Sequence, residues 1–335
     1  PVLWLCGAGP YALYLGTVHH LEVKRQMGED DIEAVTELLE VASAADGHRP
    51  LGEHQWLDLV EGGRRGFAGL VAWEPGHGHP VGYAQLTRGD TSWALEFVVD
   101  PHHRHAAGTI TPDLIGAALD LVRDEGGGRI HLWVPKPTDE VDDLVKAVGF
   151  RRGRDLYQMR RPLPGAEHSD LTTRPFEVGS DEERWLEVNN TAFARHPEQG
   201  GWEVDTLRQR QKEPWFDPEG FLLHERAGRL AGFCWTKVHT EHDHNGHDGH
   251  DSPPPLGEIY VLAVHPDFQG IGLGRRLLLA GLDHLAGRGL ATAMLYVEAA
   301  HRSAVGLYEN LGFTVDHVDR AYVTEVAPPP RDVSG

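Results

Sequence analysis

Cysteine is scarce: Cys6 and Cys234 are the two thiols in 335 residues. Such a pair makes neither a disulfide framework nor a zinc spacing, and it suits a reducing cytoplasm. Basic residues are also in deficit. Lys and Arg number 31 against 51 Asp and Glu, a net charge of −20. A nucleic-acid backbone is held by basic patches, so nucleic acid is not an expected partner. No apolar run reaches the ~18–20 residues that span a bilayer, so no membrane partner is expected either. The apolar opening "PVLWLCGAGPYALYLGTVH" (1–19) is broken by Gly7, Gly9 and Pro10 and lacks a basic leader. It fits a signal peptide poorly and reads as an extension of unknown role or an added strand, a membrane-associated segment being the less favoured reading. What is left is an ordinary globular composition, long enough for two domains. A cytoplasmic monomer is the expectation.

Internal repetition comes next. "LEFVVDPHHRHAAGTITPDLIGAALDLV" (95–122) and "VLAVHPDFQGIGLGRRLLLAGLDHL" (261–285) share one plan. Each is a β-type run, a residue-Pro turn, a small-residue loop and an amphipathic helix. A second β run follows each, "RIHLWV" (129–134) and "TAMLYVE" (292–298). Then comes a short helix closing on Gly-Phe, "DLVKAVGF" (143–150) and "SAVGLYENLGF" (303–313), and a last strand near 156–161 and 321–326. The link "RPLPGAEHSDLTTRP" (161–175) is rich in Pro, Gly and small polar residues. The expected division is 20–165 and 170–328. The expected fold class is α/β with a mixed α+β sheet covered by helices in each half.

Within the second repeat, Gly270, Gly272 and Gly274 alternate just before a leucine-rich helix. Glycines let backbone approach a ligand closely, and the first N–H groups of a helix have no partners within it. A glycine loop that opens a helix is therefore a place for an anion such as a phosphate. The spacing is not G-x-G-x-x-G, so a dinucleotide fold is not indicated.

The loop Gln269-Gly270-Ile271-Gly272-Leu273-Gly274, followed by a strand and "SAVGLYENLGF", resembles the GCN5-related N-acetyltransferase (GNAT) superfamily. That resemblance implies two tandem GNAT domains. It also implies acetyl-CoA as acetyl donor, with no metal required. Four further segments narrow the likeness: "NNTAFARHPEQGGW" (189–202), "PWFDPEGF" (214–221), "GFCWTKVH" (232–239) and "GEIYVLAVHP" (257–266). They resemble the tandem branch that acetylates the cysteinyl amine of Cys-GlcN-Ins in the last step of mycothiol biosynthesis. In the first half "GEHQWLDL" (52–59) is the clearest match.

The resemblance implies roles for particular residues. Acyl transfer to an amine needs a base to take the ammonium proton and a polarised carbonyl, and a proton donor helps the leaving thiolate. Glu258 falls at the family base and Tyr308 at the family acid. The cofactor would be held by Leu262, Ala263 and Val264, with their N–H groups freed at a bulge. The pyrophosphate loop would be Gln269, Gly270, Ile271, Gly272, Leu273, Gly274 and Arg275. Then come His301, Arg302, Ser303, Ala304, Val305 and Gly306, with His301 standing where many members have Asn. The acceptor would touch Glu53, Glu198, Lys237, Glu258 and Tyr296 and lie between the domains. Two other readings stay open: another amine acceptor, such as a protein N-terminus or small amine, and a non-catalytic acyl-CoA sensor.

The first half departs from the pattern. Its loop is Arg104, His105, Ala106, Ala107, Gly108, Thr109, with Ala107 and Thr109 at the places of the two required small residues. Counting back from Pro101 puts Trp93 at the position of Glu258. Counting back from Phe150 puts Val145 at that of Tyr308. This half is expected to do no chemistry. If it does hold acetyl-CoA, Phe97, Val98, Val99 and the loop 104–109 would do so. The stretch "HTEHDHNGHDGHDSPPP" (239–255) collects five histidines, yet its polarity and prolines read as a solvated insertion.

Overall fold

The computed structural model describes residues 19–63, 66–89, 92–104, 109–194, 199–239 and 254–329, the Glu53 side chain apart. Residues 1–18 of the extension 1–19, residues 240–253 of the His-rich stretch, and Glu198 lie outside them. The chain forms two compact units. Unit 1 holds the residues up to Trp133, Glu140–Arg151, and the chain from Val323 on. Unit 2 holds Val134–Asp139 and Arg152–Tyr322. No described helix is long and apolar enough to cross a membrane.

Unit 1 contains β1 (His20–Lys24), α1 (Glu29–Asp46), α2 (Glu53–Val60), β2 (Phe67–Trp73), β3 (Gly82–Arg88), β4 (Trp93–Val99) and α3 (Ile110–Asp124). Most of β5 (Gly128–Pro135) and α4 (Asp139–Ala147) follow. α1 starts where Gly28 N–H donates to Asp31, with Glu29, Asp30 and Asp31 against the positive helix end. It ends at Gly47, whose φ of +66° suits glycine. Its buried face, Val35, Leu38, Leu39 and Ala42, packs with Leu59, Phe67, Val71 and Tyr83. α3 packs against β2, β3 and β4. Gly82 leaves room for it, since a Cβ there would meet Ile110 Cγ2 at 2.8 Å.

Unit 2 contains β6 (Arg151–Pro162, from Arg152), β7 (Arg174–Pro175), α5 (Glu182–Ala192), α6 (Val204–Gln211), β8 (Phe221–Arg226) and β9 (Arg229–His239). Then come β10 (Leu256–Val264), α7 (Leu273–Gly287), β11 (Thr292–Glu298), α8 (Arg302–Asn310) and β12 (Thr314–Val326, to Tyr322). Its strands run in the order β12-β6-β11-β10-β9-β8-β7. One sheet face meets α7 and α8 through Ile259, Leu277, Leu278, Leu285, Leu295 and Phe313. The other meets α5 through an aromatic cluster of Trp185, Phe221, Phe233 and Trp235. There Phe221 stacks on Trp235 at 4.2 Å.

The last strands depart from the expected division at 165–170. β6, expected to close the first half, pairs antiparallel with β11 from Leu156↔Glu298 to Pro162↔Thr292. The end of β12 belongs to unit 1, where Thr324 Oγ1 donates to Gly149 O at 2.9 Å. A strand needs a ladder partner more than a sequence neighbour, because unpaired buried N–H and C=O groups are costly. Each unit therefore borrows a strand from beyond its own repeat.

Gly281 lets α7 lie close to β9: a Cβ would meet Cys234 Sγ at 2.4 Å and Ile259 Cδ1 at 2.9 Å. Overpacking of this kind costs about 1–3 kcal/mol. Gly281→Ala is expected to lower urea-unfolding stability by about that amount, and Cys234→Ala in the same chain is expected to recover much of it. Additive losses in the double variant would show that this contact does not set the helix position.

Candidate active site

The site is built around a strand that loses its neighbour. β10 pairs with β9 along its length, from Leu256↔His239 to Val264↔Gly232. Its parallel pairing with β11 covers just Gly257↔Ala293 and Glu258↔Met294. The register against β9 slips between Ile259 and Val261, so Tyr260 is an extra residue. Side-chain packing agrees: Ile259 joins the α7 face, whereas Tyr260 and Val261 both lie on the α5 face. The bulge thus falls upstream of Leu262–Val264, where the sequence had suggested it.

Backbone alternation then decides which groups are available. His265 N–H donates to Ala231 O at 2.9 Å, so His265 and Ala263 point toward β9. Leu262 and Val264 point to the other side, beyond the end of the β10–β11 pairing. Two of the three expected carbonyl-holding groups, Leu262 and Val264 N–H, therefore face the gap, and Ala263 serves the ladder.

The glycine loop continues from this strand end. Gln269 Nε2 donates to Val264 O at 3.2 Å, folding the loop onto the strand. Gly270 and Gly272 have φ of +80° and +76°, and Gly272 is the N-cap of α7 without a side-chain cap. Ile271 is half exposed at 50%. The first helical bond that starts from this cap runs from Arg276 N–H to Gly272 O, so the N–H groups of Leu273, Gly274 and Arg275 precede the intrahelical ladder. At Gly274 a Cβ would meet nothing nearer than Val264 Cγ2 at 3.8 Å. The Arg275 side chain is turned to Glu167, and Arg276 to Asp170 at 2.7 Å. Arg275 can thus offer its backbone here while its guanidinium is engaged with a carboxylate. His301 caps α8, its carbonyl accepting from Ala304 and Val305 N–H. His301, Arg302 and Ser303 are exposed, Val305 is buried, and Ala304 and Gly306 are intermediate.

Glu258, Lys237 and Tyr296 come together on one sheet face. Glu258 is 7% exposed and stands opposite Lys237 in the ladder. Its Oε2 accepts from His239 Nε2 at 2.7 Å. Lys237 is buried, with Nζ 4.3 Å from the Trp215 ring centre and 5.5 Å from that of Tyr260, a cation held over aromatic faces. On β11, Leu295 and Val297 join the α7 core, so Tyr296 projects to the Glu258 face. Gln158 Nε2 donates to its hydroxyl at 2.8 Å. Burial, then the Glu258 charge, raises the Tyr296 phenol pKa. The residue as a whole is 41% exposed, so water still reaches it.

Tyr308 belongs to the opposite face, packed on the α7 core and 5.9 Å from the Phe313 ring. Burial, then nearby Cys234, pushes its pKa up to about 12. Burial likewise pushes the Cys234 thiol up to about 12. Cys234 is therefore a packing residue without thiolate character at neutral pH.

Glu198 lies outside the described residues. Its flanks are pinned: Asn189 Nδ2 donates to Gln199 O at 2.9 Å, and Asn190 Nδ2 to Trp202 O at 2.8 Å. Glu53 is the first residue of α2, in unit 1. His239 is the residue that sequence reasoning missed, having been counted into the His-rich loop. Its signal is the period of two with Lys237 on a strand facing Glu258.

Unit 1 repeats the frame. Asp100 N–H donates to Val81 O, as His265 does to Ala231 O. Arg104 Nε donates to Val99 O at 3.0 Å, matching Gln269, and its guanidinium grips Asp46. β4 pairs with β5 through Trp93, Ala94 and Leu95 and then stops, leaving Phe97 and Val99 N–H toward the unpaired side. Val98 is on the β3 side; Thr109 caps α3, and residues 105–108 lie outside the described residues. β4 has no bulge against β3. The missing residue shifts the count: Ala94, paired with His131, stands where Glu258 pairs with Met294, in place of the expected Trp93. Val145 does match Tyr308, since its carbonyl takes Phe150 N–H as that of Tyr308 takes Phe313 N–H.

An interrupted parallel pair, a bulge and a glycine loop capping the next helix define the class of protein, a GNAT acetyltransferase. The Acetyltransferase (GNAT) family model matches residues 183–313. A tandem GNAT protein from the clavulanic acid biosynthesis pathway shares the fold, with a TM-score of 0.64 at 16% identity over 93% of this chain and all of that one. The mycothiol acetyltransferase of Acidimicrobium ferrooxidans is 43% identical over 297 residues, 86% of this chain and 92% of its own. That of Thermobispora bispora is 45% identical over 307 residues, 90% of this chain and 98% of its own. The chain belongs to the mycothiol acetyltransferase family, and it is an acetyl-CoA-dependent acetyltransferase.

The two loop glycines carry opposite expectations. Gly272→Ala forces a side chain into φ +76°, at about 1–2 kcal/mol. Gly274→Ala sits in an ordinary helical turn with open space and gains up to about 1 kcal/mol of helix propensity. Thermal melts are expected to move in opposite directions. A stabilising Gly272→Ala would overturn this account of the loop.

Proposed function

We propose that unit 2 transfers acetyl from acetyl-CoA to the cysteinyl amine of Cys-GlcN-Ins, by direct attack, using Glu258 as general base and Tyr308 as general acid. The observation that carries this reading is the buried Glu258 beside the gap between β10 and β11, on the same face as Lys237 and Tyr296. The acetyl-CoA arm lies along that gap. Its pyrophosphate meets the N–H groups of Gly272–Arg275, and its thioester oxygen meets Leu262 and Val264 N–H.

Glu258 takes the ammonium proton, and His239 orients its carboxylate. The freed amine attacks the thioester carbon, and negative charge collects on the carbonyl oxygen. As the C–S bond breaks, Tyr308 O–H gives its proton to the departing thiolate, and the surplus proton on the new amide nitrogen is released and restores the phenol. The high pKa of Cys234 speaks against an acyl-cysteine intermediate. Lys237, Tyr296 and Glu198 select the polar acceptor. The step needs no metal. Ala94 and Val145 at the base and acid positions support a first unit that does no chemistry.

Glu258→Gln is expected to lower kcat by about 10²–10⁴-fold, measured as thiol release with Cys-GlcN-Ins. The deficit should shrink as pH rises and the acceptor amine loses its proton unaided; a pH-independent deficit would remove Glu258 as base. Tyr308, protonated until pH approaches about 12, should add no alkaline fall below that value. Tyr308→Phe is expected to slow thiolate departure and lower kcat with little change in KM. Gly274→Ala should raise the KM for acetyl-CoA even while it stabilises the fold, since its methyl enters the space assigned to the pyrophosphate.

A further inference from the structure

A second chemical cluster lies in unit 1, on residues that the transfer does not use. Glu74 follows β2 and His77 sits in the turn toward β3. His103 ends the short 3-10 turn Pro101–His103 after β4. One carboxylate oxygen faces both imidazoles. Glu74 Oε2 is 2.8 Å from His103 Nε2 and 3.3 Å from His77 Nε2. The rings of His77 and His103 are 4.6 Å apart, and the three ligand atoms all lie within 4.8 Å of one another.

These separations suit a small divalent cation. A tetrahedral zinc with bonds of about 2.0–2.1 Å keeps its ligand atoms about 3.3 Å apart. Binding asks the 2.8 Å pair to open by about half an ångström and the two imidazoles to close. His77 is exposed and sits in a glycine-containing turn, so it can adjust.

The outer layer is also in place. His103 Nδ1 lies 3.2 Å from Asp100 Oδ1, and Asp100 is 2% exposed. A carboxylate behind a metal-binding imidazole fixes the ring and its tautomer and raises its basicity. Burial opposes the Asp100 charge, but His102 N–H and the His103 imidazole outweigh it and hold its pKa low. His79 and His102 also face Asp100, at 3.7 and 3.2 Å.

We propose that Glu74, His77 and His103 form a three-ligand zinc site in unit 1, with Asp100 orienting His103 and water in the fourth position. The ion ties the β2–β3 turn to the segment that enters the loop 105–108. Its role is structural, and acetyl transfer does not pass through it. Without metal, His103 lies between Asp100 and Glu74; burial lowers its pKa, but the two carboxylates outweigh that and raise it.

The test uses the full chain without an affinity tag, stripped by chelator and titrated with Zn²⁺ against a chromogenic competitor. Residues 240–250 are replaced by a Gly-Ser segment of equal length, which removes the competing imidazoles of that loop and keeps His239. One tight equivalent is expected to remain. His103→Ala and His77→Ala should each weaken it by about 100-fold or more, and Asp100→Asn by about 10–100-fold. Co²⁺ should give tetrahedral visible bands that vanish in both histidine variants. Acetyl-transfer rates should be unchanged. His77→Ala guards against a folding defect, because His77 is exposed. The proposal fails if the loop-replaced protein binds no tight equivalent. It fails equally if binding survives His77→Ala, which would place the bound zinc on other residues.

Discussion

The pairing between β10 and β11 stops after Glu258 and Met294, and the candidate chemistry gathers around that interruption. Parallel strands that stayed in register would satisfy their own N–H groups and leave no room for a thioester. Here the ladder ends, and Leu262 and Val264 keep donors on the open side. The extra residue Tyr260 shifts the side chains upstream by one place, which sets Glu258 on the Lys237 face. The site is thus reached from two faces of one sheet: Glu258, Lys237 and Tyr296 on one, Tyr308 on the other.

Neighbouring features serve this interruption. The Gln269 side chain binds the carbonyl that ends β10, so the glycine loop begins at a fixed point. Gly272 then turns through positive φ, and α7 starts with its free N–H groups directed from the loop. The aromatic cluster behind Trp235 gives Lys237 an apolar, π-rich bed in which a cation can be buried. Tyr308 is desolvated by the leucine core of α7, and this keeps its proton in place.

Unit 1 shows what the same frame becomes without those features. Its β4–β5 pairing also stops early, and its strand end is also clasped from the loop, by Arg104. It has no bulge, and Ala94 and Val145 stand where unit 2 has Glu258 and Tyr308. The frame is thus shared although those two side chains are not. The strands that close each unit come from beyond its repeat, so the halves of the sequence and the halves of the fold do not coincide.

Much was legible in the chain itself. Element order, the repeat, the glycine loop and the pairing of Val145 with Tyr308 follow from local patterns, because turns, caps and periodicity act over a few residues. The residues of the Glu258 face were nameable by resemblance, although composition alone would not have joined them. Tertiary structure decided the rest. A one-residue bulge leaves no mark in a hydrophobic run, so Trp93 was counted where Ala94 stands. Strand partners are chosen by hydrogen bonding over long separations, so β6, the last strand of the first repeat, joins the sheet of unit 2. His239 became a partner of Glu258 only through cross-strand register. Glu74, His77 and His103 drew no notice beside the crowded histidines of 239–255, because ligand geometry depends on where a turn and a strand end meet in space.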